Sequence, residues 1–182
     1  MSTTRTLTIE DLAELPEGDG RFELLDGELI ATPLAGALHA ATLTNVAVCI
    51  GGHVRRNCLG AALSGGVGFV VAREPVSLLR PDFAYVREPL RTLPDPGTRL
   101  LDGAPDLVVE VIDREDLYIV VKGNVARYLE DGATNVWLLD VHAMRATVCA
   151  ADRTRRSYAG DELISGEPIF AGLRIRAADL IA

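Results

Sequence analysis

The stretch that decides the fold is PDLVVEVIDREDLYIVVKGNVARYLEDG, residues 105–132. It begins with the apolar run DLVVEVI, which is typical of a buried central strand. Residues 115–131 then have the pattern of a helix, and Gly132 suits the position just beyond a helix C-terminus. The following run, NVWLLDV, is apolar throughout, as parallel central strands are. The stretch therefore predicts a strand, a helix and a second strand in succession.

The residues before this stretch predict a hairpin and two helices. TLTIEDLAELP indicates a short helix with Thr8 as its N-cap. RFELLDGELIAT indicates a β-hairpin that turns at Asp26-Gly27. Apolar residues at helical spacing predict a helix over residues 37–58, which Gly60 ends.

Two extended runs, ALSGGVGFVVA and VSLLRPDFAYV, come next, and residues 87–105 are rich in Pro and Gly, as surface loops are. After the N-terminal hairpin, the order is helix, three strands, helix and strand. That order predicts a mixed α/β layer fold with one central sheet. The length of 182 residues suits a single domain over residues 1–182.

The composition is that of a soluble globular protein, with 48% hydrophobic and 24% charged residues. The first twenty residues lack the apolar region of a signal peptide, and no run approaches the roughly 20 apolar residues of a membrane span. We therefore expect a cytoplasmic protein that does not associate with a membrane. Its three Cys and three His lack metal-ligand spacing, which argues against a zinc site.

The formal net charge of −8 argues against a protein coated with basic groups for permanent nucleic-acid binding. Local arginine clusters either contact phosphate or form a solvated surface. These clusters are Arg55-Arg56, then Arg80, Arg87, Arg91 and Arg99, and finally Arg153, Arg155 and Arg156. Among 18 basic residues Lys122 is the single lysine. Lysine can release a proton near neutral pH and arginine cannot, so position 122 is a candidate for chemistry.

Glu110 is the most informative residue, because it interrupts the apolar run of residues 107–112. In a strand its side chain shares a face with Val108 and Ile112. A carboxylate there has to be paired, bind a cation or stay protonated, because burial of a bare charge is very costly. A salt bridge to a buried arginine, or a strand end that reaches solvent, is the structural alternative.

Asp82 follows Pro81 at the start of the strand FAYV, where a proline costs no ladder hydrogen bond. Alone it is an ordinary turn aspartate. Consecutive strands are commonly neighbours in a sheet, so the carboxylates of Asp82 and Glu110 are expected to face one cleft. They repel each other unless a divalent cation lies between them. Hard oxygen ligands favour Mg²⁺ or Mn²⁺ over Zn²⁺.

Lys122 is the third candidate. At about 100° per residue, the apolar face of the helix centres near Val125, with Lys122 about 60° to one side and Asn124 about 100° to the other. Lys122 is therefore predicted on the flank of the buried stripe, from which its amine can reach a carboxylate cleft. The alternative is an ordinary surface lysine.

The order of Pro81-Asp82, Glu110 in an apolar strand and a following lysine resembles the PD-(D/E)XK nuclease superfamily. The surrounding segments are similar to its Uma-two branch of restriction-endonuclease-like proteins. These segments are RFELLDGELI, LLRPDFAYV, GAPDLVVEVI and YLEDGATNVWLLD, spread over nearly the whole chain. The resemblance implies a restriction-endonuclease-like αβββαβ core.

The resemblance also implies a site. Asp82, Glu110 and the main-chain carbonyl of Val111 would bind Mg²⁺ or Mn²⁺, with Glu23 as a possible additional acid. An exposed hairpin carboxylate is the alternative for Glu23. The implied activity is metal-dependent hydrolysis of DNA phosphodiester bonds, with Lys122 orienting or deprotonating the attacking water. Double-strand cleavage needs two active sites, which favours a homodimer.

Two features depart from the branch. Its lysine is usually four residues before a tyrosine; here that position is Asn124, and Lys122 lies six before Tyr128. A Ser-Pro-Ser-like link after the strand is replaced by Asp113-Arg114-Glu115. Either Lys122 takes the same role from a shifted register, which the helical geometry favours, or that role is lost.

The loss of that role, together with the acidic net charge, favours a second hypothesis. The chain would then be a catalytically inactive nuclease-fold module for nucleic-acid binding or protein interaction. A third hypothesis, a small-molecule hydrolase using Ser64 or Ser157, is weak, since neither serine lies in a G-x-S-x-G motif.

Overall fold

Two β-sheets and two long helical segments form most of the protein. The computed structural model describes residues 7–13, 21–32, 35–88, 100–113 and 117–182. Side chains are described throughout these ranges except at residues 12, 13, 21, 32, 117–120 and 122.

The helices are α1 (Ile9–Ala13), α2 (Ala37–Val46), a π-helical turn (Ala47–Gly51), α3 (Gly52–Arg56), α4 (Leu117–Glu130) and α5 (Ala177–Leu180). The first eight strands are β1 (Arg21–Leu25), β2 (Glu28–Thr32), β3 (Ala61–Ser64), β4 (Gly68–Arg73), β5 (Val76–Leu79), β6 (Phe83–Val86), β7 (Leu100–Asp102) and β8 (Leu107–Ile112). The remaining strands are β9 (Asn135–Asp140), β10 (Arg145–Ala150), β11 (Arg155–Ala159), β12 (Leu163–Ser165) and β13 (Arg174–Arg176).

The larger sheet has six strands in the order β11-β10-β9-β8-β6-β3. Strands β8 and β9 are parallel, with α4 as their crossover, and the other pairs are antiparallel. Helix α2, strands β3, β6 and β8, helix α4 and strand β9 follow in chain order. This is the αβββαβ arrangement, so the predicted restriction-endonuclease-like fold class is confirmed.

The six-stranded sheet is the predicted central sheet, but the sequence did not predict a second one. A second, five-stranded sheet has the order β2-β1-β5-β4-β7. Each extended run predicted from the sequence divides between the two sheets. The first run breaks at Gly65 and Gly66, whose φ values of 89° and 101° do not continue a strand. The second breaks around Pro81, which has no N–H for a ladder bond.

The N-terminal hairpin was predicted correctly. Asp26 and Gly27 form a two-residue turn between β1 and β2, with φ values of 53° and 78°. Two positive φ angles match the twist of the flanking strands, which is why Asp-Gly is favoured there. Thr8 caps α1 as predicted: its Oγ1 accepts the N–H of Asp11 at 3.3 Å, and Asp11 Oδ2 accepts the N–H of Thr8 at 2.8 Å.

Strand β8 is buried on both faces along its whole length. Val109 and Val111 pack with α2 and α3 residues such as Val46 and Val54. Val108, on the opposite face, packs in a second cluster of α4 and the smaller sheet that includes Val125, Tyr128 and Phe69. Because side chains alternate along a strand, Glu110 points to the α4 face.

Helix α4 ends as the sequence predicted. Gly132 has φ 106°, its N–H donates to the carbonyl of Leu129 at 3.3 Å, and the N–H of Ala133 donates to the carbonyl of Tyr128 at 2.9 Å. This pair of hydrogen bonds is a Schellman motif, which satisfies the last carbonyl groups of the helix. The predicted start at residue 115 lies outside the described residues.

The helix predicted over residues 37–58 is present over residues 37–56, with the π-helical turn in its middle. By length and composition alone its 20 residues, with a mean hydropathy of 1.2, would suffice to cross a membrane. The core helix of a soluble protein meets the same criterion. Val46, Ile50 and Val54 pack on the six-stranded sheet, whereas Val48 is 66% exposed.

Candidate active site

Asp82 and Glu110 lie on neighbouring strands. The ladder between β6 and β8 pairs Phe83 with Val109 and Ala84 with Val108. Continued by one residue, this register places Asp82 opposite Glu110. Directly opposed residues of an antiparallel pair point to the same face. Both side chains are buried, with 3% and 7% exposure.

The carboxylate of Asp82 is fixed by two groups from other elements. Its Oδ2 lies 2.9 Å from the main-chain nitrogen of Val111, which donates a hydrogen bond, and 3.0 Å from Nε2 of His39. Asp82 precedes β6, so its side chain takes up a main-chain N–H of β8 where the backbone ladder between the two strands ends.

The Val111 carbonyl was expected to face the same site. In a β-ladder the N–H and C=O of one residue point to the same side of the strand. Because the N–H of Val111 points to Asp82, its carbonyl also points to the side on which β6 lies.

Tyr128 marks the point where three carboxylates converge. Burial raises the pKa of the Tyr128 hydroxyl well above its usual value, and the nearby Glu110, Glu23 and Asp82 raise it further. A phenolate beside several carboxylates is disfavoured both by desolvation and by like-charge repulsion. Tyr128 therefore stays protonated, as a neutral donor within the acidic site.

Glu23 reaches the site from β1 of the smaller sheet. Its side chain is only 5% exposed, so the alternative of an exposed hairpin carboxylate was wrong. Oε1 accepts the main-chain N–H of Arg80 at 2.6 Å, and Oε2 accepts Nδ2 of Asn124 at 3.3 Å. Glu23 therefore ties the segment that leads into Asp82 to helix α4.

Asn124 is a site residue that the sequence placed away from the apolar face. It is 3% exposed, and its Oδ1 has no hydrogen-bond partner among the described residues. The available signal was its spacing from Tyr128, because residues four apart lie on the same helix face. Lys122 lies on α4, and its side chain is outside the described residues.

His39 was also missed. Its position in the first turn of α2 gives no local signal of an aspartate 43 residues away. Only the packing of α2 on the six-stranded sheet brings its imidazole to Asp82. Asp82, Glu110, Glu23, Asn124, Tyr128 and His39 thus come from five separate elements or their ends.

The serines of the third hypothesis lie elsewhere. Ser64 is exposed at the end of β3. Ser157 is exposed on β11, where its Oγ lies 2.9 Å from Oγ1 of Thr147 in a shared hydrogen bond. Neither serine contacts the acidic site in the described part of the chain.

Two opposed carboxylates are the side chains that could hold a hard divalent cation. Within the described ranges, no group of three or more His, Cys, Asp and Glu side chains is arranged to hold a metal. Mg²⁺ in proteins is commonly held by one or two carboxylates and keeps several waters. The opposed carboxylates of Asp82 and Glu110, with a carbonyl beside them, match that requirement.

The chain matches the family model of Uma2, described as "Putative restriction endonuclease", over residues 9–178. It is also similar to the crystal structure of "a putative nuclease belonging to DUF820" from Anabaena variabilis ATCC 29413. The TM-score is 0.81 at 18% sequence identity, and the match covers 96% of this chain and 97% of that chain. At this identity the structural likeness shows the fold alone.

No curated protein matches the chain. The family match and the nuclease fold confirm the resemblance drawn from the sequence motifs. Because the family model extends over almost the whole sequence, the chain belongs to the Uma2 family of "Putative restriction endonuclease" proteins.

Proposed function

We propose that this chain is a Mg²⁺- or Mn²⁺-dependent endonuclease that hydrolyses phosphodiester bonds of DNA. The observation that carries the proposal is the opposition of two buried carboxylates, Asp82 and Glu110, on adjacent strands. Two carboxylates on the same face of adjacent strands supply the hard oxygen ligands that Mg²⁺ and Mn²⁺ favour. Family membership in Uma2 supports the nuclease class.

In this proposal Asp82, Glu110 and the Val111 carbonyl hold the cation. When bound, a divalent cation binds a phosphate oxygen and lowers the pKa of a coordinated water. The N–H of Val111 keeps Asp82 in place. Glu23, whose two oxygens already accept hydrogen bonds, acts by holding Arg80 and Asn124 and not primarily as a ligand.

Lys122 and Asn124 are the two candidates to face the attacking water from α4. Lys122 carries the charge that would stabilise the pentavalent phosphate. Asn124 is buried among the carboxylates, but its amide can neither release nor supply a proton. Catalysis by Lys122 requires its amine to reach the cleft from a position two residues earlier on the helix.

Two exposed arginines on the sheet face of the acidic site support DNA as the partner. The sheet register aligns Glu110 with Leu138, Leu138 with Thr147, and Thr147 with Ser157. All four side chains therefore point to the face of the sheet on which the acidic site lies. Arg145 and Arg155, two residues from Thr147 and Ser157 on the same strands and the same face, are exposed. Phosphate contacts from such side chains would position a backbone without reading its sequence.

Cleavage of plasmid and short duplex DNA tests the proposal. Wild-type protein with Mg²⁺ or Mn²⁺ is expected to cleave, and EDTA, Glu110→Gln and Asp82→Asn to abolish cleavage with the fold intact. Asp102→Asn is the matched control, because Asp102 pairs with Arg73 on the surface, where both side chains are at least 70% exposed. Equal cleavage by Glu110→Gln and wild type would contradict the proposal.

We also propose a homodimer, since double-strand cleavage by this fold needs two active sites. Sedimentation equilibrium checks it: a mass near twice 19.5 kDa is expected.

The alternative function is a catalytically inactive nuclease-fold module. The buried Asn124 favours it, because it introduces a neutral amide where the branch usually has lysine. Salt-sensitive DNA binding without metal, unchanged by Glu110→Gln and unaccompanied by cleavage, would support this alternative.

A further inference from the structure

His39 is the one imidazole in contact with the acidic site in the described part of the chain. It lies in the first turn of α2, and Nε2 is 3.0 Å from Asp82 Oδ2. The side chains are 8% and 4% exposed, so water does not screen the contact. An ionised carboxylate can only accept, so Nε2 carries the hydrogen and donates it.

Oδ2 of Asp82 thus receives two hydrogen bonds, from His39 and from Val111. His39 precedes Asp82 in the chain and lies on α2, whereas Val111 follows Asp82 and lies on β8.

We infer that His39 is a positioning residue that fixes the rotation of the Asp82 carboxylate and so raises the affinity of the acidic site for a divalent cation. The inference rests on the proposed function. It assigns His39 an effect on cation affinity, exerted through Asp82.

A purely structural role explains the contact less well. Helix α2 and its continuation are held on the sheet by Val46, Ile50 and Val54, each at most 1% exposed. A buried polar pair is weak support for stability, because its desolvation cost offsets most of its attraction. A donor that orients a metal-binding carboxylate has a direct use, since such partners typically change metal affinity about 10- to 100-fold.

Manganese binding tests the inference without relying on cleavage. Free Mn²⁺ is measured by EPR during titration of the full chain, with folding checked by circular dichroism. His39→Ala is expected to raise the Kd for Mn²⁺ about 10- to 100-fold. His39→Gln is expected to stay close to wild type, because its amide N–H reaches about as far as Nε2.

His53→Ala is the matched control. His53 lies in α3 of the same helical segment, with its ring against Phe170 and not in the acidic site. Its Kd is expected to equal that of wild type. Should His39→Ala fail to fold, His39→Gln and His39→Asn carry the comparison, because both are polar and only Gln is long enough to reach Asp82.

Two results would overturn the inference alone: Mn²⁺ bound by His39→Ala as tightly as by wild type, or an equal loss in His39→Ala and His39→Gln. The second result would make His39 itself a ligand. A wild-type protein that binds no Mn²⁺ would overturn the proposed cation site and this inference together.

Discussion

The main-chain N–H of Val111 donates a 2.9 Å hydrogen bond to Oδ2 of Asp82, two residues that are 29 positions apart. The bond joins the residue after Glu110 to the residue before β6. It explains why the two carboxylates keep a fixed relation: Asp82 is held by the backbone of the strand that carries Glu110.

Glu110→Gln should weaken both cleavage and the stabilisation of the protein by Mn²⁺. Cleavage should fall by at least about 100-fold, because one cation ligand is lost. Thermal melts in EDTA and in Mn²⁺ check this: Mn²⁺ should raise the Tm of wild type and not that of the variant. An equal rise in Tm with Mn²⁺ for Glu110→Gln and wild type would contradict the role of Glu110 as a ligand.

Asn124→Lys and Lys122→Met test whether a catalytic amine acts from position 124 or from position 122 of α4. If Asn124 occupies the place from which an amine acts, Asn124→Lys should raise the Mn²⁺-dependent cleavage rate about 100-fold or more. If Lys122 already acts, Lys122→Met should abolish cleavage and Asn124→Lys should restore it. Single-turnover rates distinguish these cases. Cleavage that neither substitution changes would exclude an amine from α4 in the reaction.

Tyr128→Phe should reduce the loss of unfolding free energy that occurs at alkaline pH. The pKa of Tyr128 is raised in the folded protein, so its full contribution to stability is present below the unfolded pKa of about 10. Stability is lost as pH rises above that value, because the unfolded chain releases the phenolic proton first. Urea unfolding of metal-free protein between pH 8 and 11 measures this. Wild type should lose stability above about pH 10 more steeply than Tyr128→Phe.

Arg145→Ala combined with Arg155→Ala should weaken DNA binding uniformly across sequences. Both residues share the sheet face of Glu110, so their loss should reduce the magnitude of the salt slope of log K by roughly 1 per phosphate contact. Arg156→Ala is the control on the opposite face of β11, where Arg156 lies 5.0 Å above the Tyr158 ring. Fluorescence anisotropy in Ca²⁺ at several salt concentrations measures the slopes. Equal salt slopes of log K for the double variant and for Arg156→Ala would show that DNA does not contact this face of the sheet.

Gly132→Ala should lower the free energy of unfolding by about 1 kcal/mol or more. A Cβ at this position meets nothing within 4 Å, so the cost comes from the φ of 106° and not from a clash. Cleavage at 25 °C should be unchanged, because Gly132 is exposed and lies two residues beyond the end of α4. Urea unfolding checks the stability, and an unchanged midpoint would show that the backbone adjusts without strain.

Local patterns in the sequence were sufficient for the αβββαβ core. The apolar run of β8, the helical spacing after it and Gly132 each act through contacts within a few residues, so they are readable from the chain. The same period of two in β6 and β8 placed Asp82 and Glu110 on one face. Adjacent strands then brought the two acids together, as their order along the chain led us to expect.

The division into two sheets was not readable in advance. The runs through β3-β4 and β5-β6 are apolar on both sides of their breaks, because both sheets bury their strands. Only the backbone geometry at Gly65 and Gly66 and the proline before Asp82 sends the two halves of each run to different sheets.

The sequence by itself indicated that Asp82 and Glu110 face one cleft, because side-chain alternation is local and strands that follow one another are commonly neighbours. The tertiary structure alone decided what surrounds them. His39 meets Asp82 across 43 residues, and Asn124 meets Glu23 across 101 residues. Such contacts arise when α2, α4 and β1 pack against one end of the same sheet, and no local periodicity encodes that packing.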